Sequence, residues 1–89
     1  MIYRIERTVR PDATVFLVSG PMDATHALQL EALLQHEGEG RVLVDLQEIT
    51  LVDRDAIRFL ARMEASGLGL LSCPEYVRRS IAAANDEQL

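Results

Sequence analysis

The sequence contains one cysteine, no tryptophan and no lysine, and only 4% of its 89 residues are aromatic. The lone Cys73 excludes an internal disulfide and is typical of proteins in a reducing compartment. No apolar run approaches the roughly 20 residues that a membrane-spanning helix needs. The charged N-terminal segment also lacks the apolar centre of a signal peptide. These absences predict a cytoplasmic protein without direct membrane insertion.

Charge and hydrophobic content narrow the class of protein further. The formal net charge of −5 argues against nucleic-acid binding, which requires the neutralisation of phosphates. The hydrophobic content of 48% is ample for a folded core, which aliphatic side chains must fill because aromatic residues are so few. The length allows one domain, and we find no repeat or linker, so residues 1–89 are expected to form a single small domain.

Hydrophobic periodicity and turn residues predict the element order β-β-α-β-α-β-α. The predicted strands cover residues 2–9, 13–19, 41–46 and 68–73, and the predicted helices cover about 23–37, 53–66 and 75–85. Gly20-Pro21 is expected to end the second strand. The continuous apolar run Val42-Leu43-Val44 indicates burial on both faces, as in a parallel sheet. The predicted fold class is α/β, with a four-stranded mixed sheet and three helices packed on it.

The first helix is expected to start at Asp23, whose carboxylate is a good N-cap. Its buried face should be formed by residues at helical spacing, namely Ala27, Leu30, Leu33 and Leu34. The third helix should bury an equivalent stripe, formed by Val77, Ile81 and Ala84.

The segment Arg41–Leu60 carries the strongest functional pattern. A buried strand ends at Asp45, a second apolar group follows, and the charged triplet Asp53-Arg54-Asp55 precedes the next helix. Either Asp53 or Asp55 can cap that helix. Strands that deliver charged groups to a helix start are where α/β proteins tend to place binding sites.

Two segments of the chain resemble the STAS domain, the module shared by anti-sigma factor antagonists and the cytoplasmic tails of sulfate transporters. Ser19-Gly20-Pro21-Met22-Asp23 is similar to the Gly-x-(Leu/Met)-Asp helix start of that family. Arg41–Leu60 is similar to its signature, in which a valine-rich strand ends in Asp-Leu and an apolar loop leads into Asp-Ser-Ser-Gly-Leu. The resemblance implies a bacterial, non-enzymatic interaction module in the regulation of transcription. Its partner would be an anti-sigma factor or serine kinase.

The chain departs from this family at the phosphorylation site. The first serine of the family motif, which antagonists carry as their phosphorylated residue, is replaced here by Arg54. Asp55 stands at the second serine position and Ala56 at the glycine position. Arg54 has no hydroxyl group, so the resemblance implies the fold and a binding surface without the usual phosphorylation switch. Asp55 is either a residue favoured by the helix dipole or a fixed charge that imitates the phosphorylated state.

Arginines recur every four residues along the second helix and therefore share one face. They form either a solvated surface or a docking strip for an acidic partner. Because the resemblance places the partner at the start of this helix, the predicted partner-binding residues are Asp23, Asp53, Arg54, Asp55, Arg58 and Arg62.

Two alternatives remain open for the function. The chain could be a STAS-type accessory subunit of an ABC transporter, docking on the transporter ATPase. Alternatively Asp23, Asp45 and Asp53, which each follow an apolar strand, could converge on a small-ligand or magnesium-dependent site. The sequence has no Gly-rich phosphate loop, and His26 and His36 are expected at the surface, so we predict no catalytic residue, metal or cofactor. A homodimer is also compatible with the sequence.

Overall fold

A computed structural model of the chain describes residues 2–38 and 40–87. Its strands are β1 (Arg4–Val9), β2 (Thr14–Met22), β3 (Val42–Val52) and β4 (Gly69–Leu71), and its helices are α1 (Ala24–Gln35), α2 (Arg54–Ala65) and α3 (Glu75–Asp86). The sheet order is β1-β2-β3-β4, with β1 antiparallel to β2 and the other neighbours parallel. The predicted α/β class, mixed sheet and element order are confirmed. In these residues no helix has the length and apolar character to cross a membrane.

The three helices pack on one face of the sheet and form a single core with it. This core joins strand residues such as Phe16 and Val44 to buried residues of all three helices. Because side chains alternate along a strand, Val15 and Leu43 point to the opposite face. There they form a smaller cluster with Ala13 and, at its margin, Leu71. The predicted burial of β3 on both faces is therefore confirmed at Leu43 and Val44.

Strand β2 is longer than predicted, and the expected break at Gly20-Pro21 is wrong. Pro21 pairs with Leu51 and Met22 with Val52, after register shifts that accommodate the irregular segment. Proline is tolerated in a strand at such bulges. Gly20 has φ +86°, and a Cβ atom there would collide with the carbonyl oxygen of Ile2. Pairing with β3 thus extends β2 past Gly20-Pro21, although these two residues favour a turn.

Strand β3 also extends beyond its predicted end at residue 46, reaching Val52. Its second half pairs with the extended part of β2, so both strands end at the same edge of the sheet. The backbone N–H of Asp53 then donates to the carbonyl of Met22 at 3.1 Å. This shared edge places the starts of α1 and α2 side by side. The outer strands are shorter than predicted, at 4–9 for β1 and 69–71 for β4.

The helix faces follow the predicted spacing with one exception. Ala27 and Leu30 of α1 are buried and Leu34 packs against the core, but Leu33 is 41% exposed, so its predicted burial is wrong. The residues of α1 that pack on the core, Ala27, Leu30 and Leu34, lie close to one line along the helix, and Leu33 lies to the side of that line. The predicted stripe of α3 is confirmed, since Val77, Ile81 and Ala84 are all buried.

Candidate functional site

Two aspartates stand at the adjoining starts of α1 and α2, and each caps its helix. Asp53 Oδ1 accepts a hydrogen bond from the N–H of Ala56 at 2.9 Å. Asp23 Oδ1 accepts one from the N–H of His26, also at 2.9 Å. The cap of α2 is thus Asp53, and Asp55 lies within the first turn. Such caps stabilise a helix by about 1 kcal/mol each, which accounts for both residues without any partner.

The start of α1 is reinforced by an aromatic stack that the sequence did not suggest. His26 Nδ1 accepts from the N–H of Asp23 at 3.3 Å, completing a reciprocal cap. The imidazole stacks on the Tyr3 ring with centroids 3.9 Å apart and planes 6° from parallel. His26 is therefore half-buried, and its predicted surface position is wrong, because Tyr3, the residue before β1, stacks on it. Burial, and secondarily the charge of Asp23, raise the pKa of Tyr3 to about 12.

Asp45 does not join the other two carboxylates. It lies within β3, opposite Leu17 of β2 and Leu71 of β4. Its Oδ1 accepts from the N–H of Gln47 at 2.9 Å. Asp53 lies eight residues further along the chain, a span of about 26 Å at roughly 3.3 Å per residue of strand. The structure therefore brings only Asp23 and Asp53 to one edge. Across residues 2–38 and 40–87, no group of three His, Cys, Asp or Glu side chains is placed to hold a metal ion.

The three arginines of α2 form an exposed row, with side chains 74%, 50% and 62% exposed at Arg54, Arg58 and Arg62. Arg54 is the first helical residue, where the positive end of the helix dipole disfavours a cation. Its presence there is not explained by helix stability.

Acidic residues of the two flanking helices approach this row from opposite sides. Glu87, just after α3, has Oε2 at 3.9 Å from Nη2 of both Arg54 and Arg58. Glu31 of α1 has Oε2 at 3.0 Å from Nη2 of Arg62. Sequence reasoning missed both glutamates, since each lies about 30 positions from its arginine and no periodic pattern connects them.

Each side of α2 carries an open groove. The groove towards α3 has a cavity of about 290 Å³, with Val52, Ile57 and Ala84 on its floor and Arg54 and Arg58 at its rim. The groove towards α1 has a cavity of about 310 Å³, lined by side chains that include Leu28, Asp55, Phe59 and Arg62. The row of arginines is therefore the ridge between two partly apolar depressions.

The remaining reactive side chain, Cys73, lies outside this surface. Burial raises the pKa of its thiol, while nearby Arg78 opposes the shift. Arg78 is itself held by Glu64 at 2.7 Å. A raised pKa lowers the fraction of thiolate at neutral pH, which disfavours nucleophilic reactions of Cys73.

Comparisons with known proteins establish the fold. No family model matches the sequence, and no curated protein matches it. Among solved structures, the anti-sigma factor antagonist SpoIIAA in its unphosphorylated form is similar with a TM-score of 0.59 and 19% identity, over 88% of this chain and 79% of that one. A structure described as Mglu is similar with a TM-score of 0.60 and 22% identity, over 79% of this chain. This chain spans only 19% of the length of Mglu. The similarity to SpoIIAA confirms the STAS-like fold predicted from the sequence.

Proposed function

We propose that this chain is a single-domain, non-enzymatic interaction module that acts as an anti-sigma factor antagonist. The observation that carries the proposal is the similarity of the fold to SpoIIAA, which extends over 88% of this chain and 79% of that protein. The segments that lead into the first two helices, Ser19–Asp23 and Arg41–Leu60, resemble the same family. The proposed partner is an anti-sigma factor or serine kinase in the cytoplasm, and the proposed outcome is regulation of transcription.

The proposed docking surface consists of Asp23, Asp53, Arg54, Asp55, Arg58 and Arg62. Three exposed guanidinium groups lie in one row along α2 and can pair with carboxylates of an acidic partner. Arginine is also the basic residue best adapted to interfaces. In this proposal the two capping aspartates act by fixing the backbone at the start of each helix.

We further propose that binding is not switched by phosphorylation at position 54. A guanidinium cannot accept a phosphoryl group in the way a serine hydroxyl does. The positive charge of Arg54 is also opposite in sign to a phosphoserine, so this position would favour acidic partner residues at all times. Binding would then be constitutive or controlled through another part of the surface.

A pull-down from the source cell, followed by mass spectrometry, tests the proposal. The wild type should retain an anti-sigma factor or serine kinase, and Arg58→Glu should lose it. Arg79→Glu serves as the matched control, since Arg79 is an exposed arginine of α3 outside the proposed surface. Recovery of a transporter ATPase would instead support the accessory-subunit alternative. Equal retention by Arg58→Glu and the wild type would refute the proposed surface.

The variant Arg54→Ser gives a second, independent test. If the partner is a serine kinase with the docking geometry of the family, this variant should gain one phosphoryl group in its presence with ATP, detected as a mass increase. If a kinase binds the variant but does not phosphorylate it, that docking geometry is contradicted. Turnover of a panel of phosphoesters in the presence of Mg²⁺ would contradict the non-enzymatic proposal.

A further inference from the structure

The groove between α2 and α3 combines two features that suit the same ligand. Its floor is apolar, with Val52 at one end and the nearly buried Ile57 and Ala84, each 8% exposed, below it. Its rim carries the guanidinium groups of Arg54 and Arg58, four residues apart on one side of α2. The groove can therefore contact an anionic group and an adjacent apolar group of one ligand.

The structure already contains an anion at this rim. The Oε2 atom of Glu87 lies 3.9 Å from both arginines, so one carboxylate is shared by two guanidinium groups. Pairs this long and this exposed contribute little to stability, because solvent screens them. Glu87 also occupies the C-cap of α3, where the negative end of the helix dipole disfavours an acidic side chain. The contact is therefore weak and readily exchanged for another carboxylate.

We propose that this groove binds an acidic peptide segment of the protein partner. One carboxylate of the segment replaces Glu87 between Arg54 and Arg58, and an adjacent aliphatic side chain rests on Ile57 and Ala84. The inference deepens the proposed function, since it rests on the chain binding a protein.

The size of the groove favours a peptide over a cofactor. Pockets for drug-sized ligands range from about 300 to 1,000 Å³ and enclose most of the ligand. The cavity here is about 290 Å³ and open to solvent, which leaves room for one or two side chains. The charge of the rim selects an acidic segment, and the apolar floor requires an aliphatic neighbour.

Glu87 acts in this proposal as a built-in competitor. It occupies the position of the incoming carboxylate without filling the apolar floor. Its removal should therefore strengthen peptide binding, whereas removal of either rim arginine should weaken it. The equivalent contact across the other groove, between Glu31 and Arg62, provides the matched control because it does not touch this cavity.

The test is an NMR titration of the isotopically labelled chain with a short synthetic peptide that has one glutamate flanked by leucines. A second peptide, identical except for glutamine in place of glutamate, measures the contribution of the charge. We expect shifts centred on the amides of Ile57 and Ala84, and about tenfold weaker binding of the glutamine peptide. Glu87→Gln should bind the acidic peptide about two- to fivefold tighter, and Glu31→Gln should bind it as the wild type does.

Arg54→Gln and Arg58→Gln should each weaken the acidic peptide by about three- to tenfold, and Arg79→Gln should leave its affinity unchanged. The proposal is overturned if millimolar peptide shifts no groove amide, if the two peptides bind equally, or if Glu87→Gln and Glu31→Gln have the same affinity. Failure of this proposal can be distinguished from failure of the proposed function. A native partner that is lost in Arg58→Glu but retained equally by Glu87→Gln and the wild type would contradict the groove alone.

Discussion

Replacement of Asp53 by alanine should destabilise the domain by about 2 kcal/mol, near the upper end of the range for helix caps. The reason is the environment of the group that it caps. Asp53 Oδ1 accepts from the N–H of Ala56 at 2.9 Å, and Ala56 is 0% exposed. The bond is partly buried, so its loss leaves the N–H of Ala56 with poorer hydrogen bonding, which costs about 1–3 kcal/mol.

Thermal and urea unfolding measure this effect directly. For a domain of this size, each kcal/mol shifts Tm by about 4–8 °C, so we expect Asp53→Ala to melt roughly 8–16 °C below the wild type. Asp53→Asn keeps an oxygen acceptor and should lose only a few tenths of a kcal/mol. Asp55→Ala removes a charge from the first turn but no cap, and should cost at most about 1 kcal/mol.

The relative stabilities of the three variants test this explanation. If Asp53→Asn were as unstable as Asp53→Ala, the charge of Asp53 would matter more than its hydrogen bond. If Asp55→Ala were the least stable of the three, the cap would have been assigned to the wrong residue. A loss below about 0.5 kcal/mol in Asp53→Ala would mean that the N–H of Ala56 finds another acceptor.

Three further predictions concern the supporting structure. Gly20→Ala should lose about 2 kcal/mol or more in urea unfolding, because φ is +86° and the new Cβ would meet the carbonyl of Ile2. Gly38→Ala, which has open space around it, should stay within about 1 kcal/mol of the wild type, and similar losses in the two variants would contradict this explanation. An ultraviolet titration should find one tyrosine with a pKa of about 12 that is missing in Tyr3→Phe. Since the folded-state pKa lies above the ordinary value of 10.0, the contribution of Tyr3 to stability is complete below pH 10.0 and declines as pH rises towards 12. Finally, iodoacetamide should modify Cys73 more slowly than it modifies free cysteine at the same pH, since burial raises the thiol pKa; a faster reaction would count against its burial.

The sequence predicted correctly those features that depend on residues close together in the chain. Asp23 was identified as a cap, and the stripe of Val77, Ile81 and Ala84 as buried, because capping and helical spacing act within a turn or two. The prediction at Gly20-Pro21 was wrong for the complementary reason. Turn residues favour a break, but pairing with β3 across the sheet outweighs that preference and extends β2 to Met22.

In the candidate site, too, local features were predictable and long-range contacts were not. The shared face of the arginines follows from helical spacing, so it was predictable. The stack of His26 on Tyr3 and the approach of Glu87 to Arg54 were not, since each joins elements that are distant in the sequence. Nor could the sequence place Asp45, because its position depends on how far β3 continues beyond it.

By itself the sequence determined the order of elements, the cap of the first helix and the absence of a hydroxyl group at position 54. These properties reside in single side chains or in short-range periodicity. Only the tertiary structure decided that β2 and β3 end at one edge, that the arginines form a ridge between two grooves, and that Glu87 occupies one rim. Those features arise from the packing of three helices on one face of the sheet, which brings together residues that no local pattern relates.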